Sequence, residues 1–300
     1  MNAATATVAG LIHDATARIA SALGLEMREA RIEVRALAAH AWQVETAWLI
    51  AHDTDVPDRA QASAFRDLVE QRLTGQPIAY LTGEREFYGR PFHVSPDVLI
   101  PRPETELLVE QALLHLPPGQ PLRVLDLGTG SGCVAVTLAL ERPHAIVTAV
   151  DRSPAAMALA QRNASALKAS VRFLQSDWFA ALAGECFDLI VGNPPYVAAA
   201  DPHLGRGDVR FEPLAALASG SDGFTDLRRI VCDAPAHLRP GGWLWLEHGF
   251  EQAELTRRLL HEAGMQDVQT RQDAAGLPRI SGGHVSEKFT SVNSGTVCRE

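Results

Sequence analysis

The chain predicts an α/β protein, with a mostly parallel sheet covered by helices on both faces and a small helical domain ahead of it. Three observations carry this expectation. From Leu122 onward, short apolar strands alternate with helical stretches, the pattern of a parallel sheet. The first of those strands runs directly into the turn Gly128-Thr129-Gly130-Ser131-Gly132 and then into a helix, where an open α/β sheet binds its ligand. Upstream, residues 11–73 carry apolar side chains at spacings of three and four, the signature of amphipathic helices.

Taken in order, Ile12, Ala15 and Ile19 share one helical face, as do Ala30, Val34, Leu37 and Ala38, and then Phe65, Leu68, Val69 and Leu73. Pro57-Asp58 is a start signal for the last of these helices, and Gly75 with Pro77 a stop. Residues 1–75 are therefore expected to form a small, separate helical domain. Residues 76–104 form a linker rich in Gly, Pro and aromatics, with a hairpin over Glu86–Val94 turning at Gly89-Arg90. A helix over Thr105–Leu116 leads into the main domain, 105–290. Its strands are expected at Arg123–Leu127, Ile146–Val150, Val171–Gln175, Phe187–Val191 and Trp243–Glu247, with a weaker one near Val268-Gln269-Thr270. Its helices are expected at Val134–Glu141, Pro154–Leu167, Phe224–His237 and Glu251–Ala263. The tail, 291–300, lacks periodicity and is expected to be disordered. No internal repeat is evident.

Bulk properties narrow the function classes. With 300 residues, 46% of them hydrophobic, the chain can bury one large or two moderate cores. A net charge of −9 and the lack of any Lys/Arg run argue against the basic footprint of a duplex-binding surface. Cys133, Cys186, Cys232 and Cys298 are far apart, with no His at metal-ligand spacing, so no metal site is expected. The start of the chain lacks the basic and apolar regions of a signal peptide, and no segment is apolar for long enough to span a bilayer. A cytoplasmic protein without a membrane partner is expected.

The residues Asn193-Pro194-Pro195-Tyr196, at the end of the apolar run Phe187–Gly192, suit chemistry on a planar nitrogen. An amide or aryl amine delocalises its lone pair and is a weak nucleophile, so it must be held with that lone pair aimed at an electrophile. The Asn193 side-chain oxygen and the Pro194 carbonyl can each accept one N–H of an –NH2 group, while the prolines stiffen the loop and Tyr196 covers the planar face. A tight proline turn closing a strand is the competing reading.

Upstream lies a nucleotide-type pocket. Glycines in residues 128–132 let the backbone approach a ligand closely. The dinucleotide spacing G-x-G-x-x-G would place Cys133 at its third glycine, a mismatch. The tighter Gly-x-Gly-x-Gly after Asp126 instead resembles the first motif of class I S-adenosylmethionine-dependent methyltransferases. Asp151, ending the second strand, is placed to accept hydrogen bonds from both ribose hydroxyls, or else to begin the helix at Ser153-Pro154. Trp178, after the third strand, is placed to wall the adenine or to be core, and neighbouring Asp177 to accept from the exocyclic amine.

With these motifs in order, the chain resembles the N5-glutamine methyltransferases, and most closely the release factor glutamine methyltransferase family. The resemblance extends over nearly all of residues 10–285. It includes Gln76-Pro77-Ile78-Ala79-Tyr80-Leu81-Thr82-Gly83, Ile100-Pro101-Arg102-Pro103-Glu104-Thr105-Glu106, Phe211-Glu212-Pro213 and Leu246-Glu247-His248-Gly249. It implies a Rossmann-like class I methyltransferase domain, S-adenosyl-L-methionine as methyl donor with S-adenosylhomocysteine as product, and class 1 peptide chain release factors as partners. The acceptor it implies is the glutamine of their Gly-Gly-Gln loop. Carried over, Gly128, Thr129, Gly130, Ser131, Gly132, Asp151, Trp178 and Asn193 bind the cofactor, and Asn193, Pro194, Pro195 and Tyr196 receive the glutamine, with Asn193, Pro194 and Tyr196 catalytic. Two departures stand out: Gly192 occupies a position where many members have Ser, and the tail after about Lys288 runs past the usual end.

The mechanism expected is direct transfer, with no general base at motif spacing. Glu104, Glu106 and Arg102 could approach the site, or could be exposed helix-start residues. Rival functions are glutamine methylation of a ribosomal protein, favoured less by Ile100–Glu106, and N6-adenine or N2-guanine methylation of nucleic acid, opposed by the acidic balance. A catalytically silent cofactor-sensing module is the remaining alternative.

Overall fold

The computed structural model describes residues 7–287, so the tail expected at 291–300 and Cys298 lie outside the described residues. The described residues divide into two compact units, one of residues 7–84 with 206–211, the other of 85–205 with 212–287.

The first unit begins with α1 (Val8–Leu23), whose first turn is capped by Thr7 Oγ1 accepting the Gly10 N–H at 3.2 Å. Next come α2 (Met27–Trp42), α3 (Thr46–Ala51) and α4 (Arg59–Leu73). The expected apolar faces meet in one core, where Ile19, Val34, Leu37, Phe65 and Val69 are buried. Leu68 and Leu73 pack only at its margin. Asp58 starts α4 through a reciprocal capping box with Gln61. Arg72, at the end of α4, is buried against both Glu33 oxygens at 2.9 and 3.0 Å and against Asp208 at 2.9 Å. α4 stops at Leu73, just before Gly75 and Pro77 as expected, but Pro77 then precedes a further, unexpected helix, α5 (Ile78–Thr82), because its fixed φ suits a helix entry.

In the second unit, β1 (Glu84–Phe87) and β2 (Arg90–His93) form the expected hairpin. Its turn lies at Tyr88-Gly89, one residue before the expected position, with φ of 53° and 72°. Two positive φ values make the mirror-image turn that matches strand twist. A 3-10 turn at Pro103–Thr105 leads into α6 (Glu106–Leu114). Then follow β3 (Arg123–Leu127), α7 (Cys133–Glu141), β4 (Ile146–Asp151), α8 (Pro154–Leu167), β5 (Val171–Gln175) and β6 (Phe187–Gly192). After a long connection come α9 (Thr225–Asp233), β7 (Leu238–Glu247), α10 (Ala253–Glu262), β8 (Gln266–Gln272) and β9 (Pro278–His284).

The sheet order is β5-β4-β3-β6-β7-β9-β8, parallel from β5 through β7, with β9 antiparallel to both its neighbours, β7 and β8. Separate apolar clusters fill its two faces, one around Trp245, Val124 and Leu138, the other around Leu125, Ile190 and Leu260. Register brings Leu127 opposite both Val150 and Gly192, so β3, β4 and β6 end together at one edge. The helix expected over Phe224–His237 stops at Asp233 and continues as a 3-10 turn, since Pro235 offers no N–H to an α-helical ladder.

Strand β9 is absent from the expectations because Pro-Arg-Ile-Ser-Gly-Gly-His shows no period-2 pattern. Its glycines matter for another reason: a Cβ at Gly282 would sit 2.3 Å from the Leu244 carbonyl oxygen and 2.4 Å from the Trp245 ring. The bare backbone is what lets β9 lie against β7. Gly282→Ala is therefore expected to cost about 2 kcal/mol or more, as overpacking of a close-packed sheet does, read as a lower midpoint in urea unfolding.

Candidate active site

At the shared edge of β3, β4 and β6 lies a cavity of about 170 Å³, far more than a trapped water needs. Its wall includes Gly128, Thr129, Gly130, Ser131, Asp151, Trp178, Asn193 and Pro195. Strand register alone accounts for this convergence, since each residue follows the carboxyl end of a neighbouring strand. Gly132, Pro194 and Tyr196 do not line the cavity. Gly132 stands at the start of α7 with φ 82°, where a Cβ would lie 3.0 Å from that of Ala160, so its bareness serves helix packing. The Tyr196 ring packs against the apolar cluster on the far side of its loop.

The glycine loop is held from both ends. The Gly128 and Thr129 N–H groups donate to the Val150 carbonyl, each at 2.9 Å. Asp151 Oδ2 accepts the Gly130 N–H at 2.9 Å, and its Oδ1 accepts that of Ser153 at 2.9 Å. The helix-start alternative for Asp151 belongs to Ser153, whose Oγ accepts the Ala156 N–H at 3.2 Å. Asp151 thus couples the ends of β3 and β4 while still lining the cavity.

Asp126 is buried at the cavity wall and takes the Thr129 hydroxyl at 2.6 Å. Burial pushes its carboxyl up to about 6, against the pull of the Thr129 hydroxyl and the Ala135 N–H. A carboxylate in that position favours a cationic ligand group. Burial likewise pushes the neighbouring Cys133 thiol up to about 12, so it remains a thiol rather than a nucleophile.

Trp178 adopts φ 51°, a left-handed backbone that a bulky residue enters at a cost of about 1–2 kcal/mol. Local bonds hold it there. Its carbonyl accepts the Ser176 hydroxyl at 2.8 Å, and its indole N–H donates to Asp226 Oδ1 at 3.1 Å. Asp226 is fixed in turn by the Ser219 hydroxyl, which donates to Oδ2 at 2.7 Å and accepts the Asp226 N–H at 2.8 Å. The ring lies over Gly128, where a Cβ would meet it at 3.2 Å. Asp177 lines the cavity but pairs with Arg229 at 2.7 Å.

Asn193 Nδ2 donates to Thr105 Oγ1 at 3.2 Å, which leaves Oδ1 as the acceptor end of the side chain. Thr105 and Arg102 also line the cavity, carried by the segment Ile100–Glu106. The buried Glu212 anchors that segment by accepting the Ile100 N–H at 2.9 Å and pairing with Arg102. Glu106 accepts the Tyr88 N–H at 2.8 Å and so ties the start of α6 to the hairpin, and Glu104 sits in the first turn of the 3-10 segment; neither lines the cavity. Thr105, Asp226 and Glu212 were not singled out by sequence reasoning as site residues. Thr105 and Glu212 lie within motifs that could have pointed to them, whereas Asp226 carries no signal beyond an acidic first turn.

Comparison with known proteins agrees with this geometry. Residues 103–206 match the family model described as Methyltransferase small domain, and residues 11–83 match the PrmC N-terminal domain. The chain is 54% identical over 256 residues to a release factor glutamine methyltransferase of Bordetella pertussis, covering 85% of this chain and 95% of the relative. It is 50% identical over 230 residues to the one from Escherichia coli K12, covering 76% of this chain and 82% of that protein. Among solved structures, it resembles the T. thermophilus 16S rRNA N2 G1207 methyltransferase in complex with AdoMet and guanosine. That match has TM-score 0.50 and 26% identity, over 67% of this chain and 49% of the other. The chain belongs to the release factor glutamine methyltransferase family.

Proposed function

We propose that this chain transfers the methyl group of S-adenosyl-L-methionine to the side-chain amide nitrogen (N5) of the glutamine in the Gly-Gly-Gln motif of class 1 peptide chain release factors. The observation that carries this reading is Asn193: it lines the same cavity as the glycine loop, and its Nδ2 is occupied by Thr105 while Oδ1 is left to accept. An –NH2 group needs acceptors, not donors, to hold it.

The residues present fit the cofactor. The buried Asp126 carboxylate suits an α-ammonium, Asp151 suits a pair of ribose hydroxyls, and Trp178 supplies an apolar wall for a purine. Gly128 and Gly130 let the loop pass close to the ligand, with Thr129 and Ser131 lining the cavity between and beside them, while Gly132 lets the loop enter α7. The bound cofactor supplies a sulfonium-activated methyl carbon open to attack by a nitrogen lone pair. Asn193 Oδ1 and the Pro194 carbonyl accept the two N–H bonds of the glutamine amide, aim its lone pair and stabilise the positive charge that grows on nitrogen. Pro195 stiffens the loop, and Tyr196 anchors it to the apolar cluster instead of covering the amide plane. The loop is pinned by Gln252, whose Nε2 donates to the Tyr196 carbonyl at 2.9 Å.

The helical unit carries the second half of the proposal: it presents the release factor, because a loop glutamine must be delivered by its own protein. No helix among the described residues is long and apolar enough to cross a membrane. The part release factors play in translation supports action in the cytoplasm, and the net charge of −9 argues against direct contact with nucleic acid.

Incubation with labelled S-adenosylmethionine and purified release factor, ribosomal protein or DNA, followed by mapping of the modified atom, tests the assignment. Label on the Gly-Gly-Gln glutamine is expected, and label on a base would overturn it. Asn193→Ala should lower kcat by roughly 10²–10³, as losing one preorganised polar contact to a developing charge does. Calorimetry should still register S-adenosylmethionine binding to that variant. Removing residues 1–75 is expected to raise KM for the intact release factor while leaving cofactor affinity in place; unchanged transfer would end the presentation role.

A further inference from the structure

Asp226 has no place in the chemistry above, yet it lines the cavity and meets Trp178, whose indole N–H donates to its Oδ1 at 3.1 Å. Its other oxygen, Oδ2, accepts the Ser219 hydroxyl at 2.7 Å, and the Asp226 N–H returns a bond to Ser219 Oγ at 2.8 Å. Three residues on, along the same face of α9, Arg229 pairs with Asp177 at 2.7 Å. Two consecutive residues after β5 are therefore gripped from one helix. The outer pair joins half-exposed side chains and contributes little. The inner contact, beside the cavity, is the one that governs the wall.

The indole has one polar hydrogen and no acceptor, so its bond to Asp226 has a fixed sense and selects one orientation of the ring. In that orientation the six-membered ring covers Gly128, where a Cβ would lie 3.2 Å from Cζ3 and 3.4 Å from Cη2. The Trp178 backbone is left-handed, at φ 51°, a conformation that persists in a bulky residue only when its surroundings over-determine it. Ser219, 1% exposed, completes the hold from the other side. Its own N–H donates to the Val197 carbonyl at 2.9 Å, and the Val197 N–H donates to the Leu217 carbonyl at 2.9 Å. Val197 directly follows the Asn193–Tyr196 loop. We propose that Asp226 is a positioning residue for the cofactor: it holds the Trp178 ring as the purine wall, and through Ser219 it ties that wall to the chain leaving the Asn193–Tyr196 loop. This role rests on Trp178 facing the purine, as proposed above, and stands whichever nitrogen accepts the methyl group.

A plainer role for Asp226 is the helix start alone. An acidic residue suits the first turn of α9, and Ser219 Oγ satisfies one of the N–H groups that turn leaves without a helical partner. That role needs neither the indole nor the cavity. The two roles part when Trp178 loses its N–H. Phenylalanine keeps a flat apolar ring but has no donor, so the carboxylate has nothing left to aim. The Asp226→Asn change keeps an oxygen for the indole, and the Ser219 hydroxyl can turn to accept the new amide N–H.

Calorimetric titration with S-adenosylhomocysteine, with no acceptor present, tests the role on the full-length protein. The set is wild type, Asp226→Ala, Asp226→Asn, Trp178→Phe, Trp178→Ala and the double variant Asp226→Ala with Trp178→Phe. Asp226→Ala is expected to raise Kd roughly 10-fold, the worth of one hydrogen bond to a charged group. Asp226→Asn should recover most of that loss. In the Trp178→Phe background the Asp226→Ala change should cost less than about 2-fold, a non-additivity that a helix-start role does not produce. Near-ultraviolet circular dichroism of the unliganded protein gives a second readout. Asp226→Ala should weaken the signal of a fixed indole, and the Trp178→Phe background should show no such change. In transfer assays with labelled S-adenosylmethionine and release factor, Asp226→Ala should raise KM for the cofactor with kcat little changed, as when uniform binding is lost. Equal weakening by Asp226→Ala in both backgrounds would overturn the positioning role, as would a wild-type Kd in Asp226→Ala beside a weakened Trp178→Ala. An unchanged Kd in Trp178→Ala would overturn the wall itself, and the positioning role with it. Ser219→Ala, which leaves the carboxylate but loosens it, carries the same test where Asp226→Ala does not fold. A rise in Kd that disappears in the Trp178→Phe background is expected, and the same rise in both backgrounds would overturn the role.

Discussion

The site depends on one constraint, the parallel register that sets Leu127 opposite Val150 on one side and Gly192 on the other. Because β3, β4 and β6 end level, the glycine loop, Asp151 and Asn193 emerge at a single edge although they are far apart in sequence. The register is held by close packing as well as by the ladder. A Cβ on Gly192 would lie 3.2 Å from both the Leu127 Cβ and its carbonyl oxygen, tighter than ordinary contact. Any side chain there requires the neighbouring strand end to give by a few tenths of an ångström.

The sheet places backbones, and buried polar groups then aim the side chains. Asp151 ties the glycine loop to β4, Asp226 and Ser219 hold Trp178 in its left-handed conformation, and Thr105 sets the amide of Asn193. Each lock costs free energy that a purely apolar arrangement would not. Asp126 and Glu247 illustrate the trade, because both titrate well above the ordinary carboxylate range for lack of water. Stability is given up where the chemistry needs a defined charge in a dry place.

Much of this was legible in the chain before any coordinates. Helical stripes at Ile12, Val34 and Phe65, and the apolar strands at Val124, Val147 and Ile190, declare themselves through periodicity because each buries a face against a core. The Gly128–Gly132 turn and Asn193–Tyr196 declare themselves through composition. What escaped has physical causes. Strand β9 is stabilised by its two neighbours and not by its own pattern, so its Gly-Gly pair reads as loop. Helix α5 hides behind Pro77, which can as easily open a helix as close one. The hairpin turn shifted by one residue because Tyr88 accepts a positive φ that a sequence reading assigns first to glycine.

By itself the sequence determined the order of elements, the glycine-lined turn, the acidic end of β4 and the proline-stiffened loop after β6, since each depends on residue type and local spacing. Only the tertiary structure decided that Gly132 packs a helix instead of lining the cavity, that Ser153 and not Asp151 caps α8, and that Thr105, Asp226 and Glu247 stand behind the motif residues. Those roles depend on which groups meet across the sheet edge and on which of them lose their water. Neither follows from neighbours in the chain, because burial and hydrogen-bond polarity are properties of the folded surroundings.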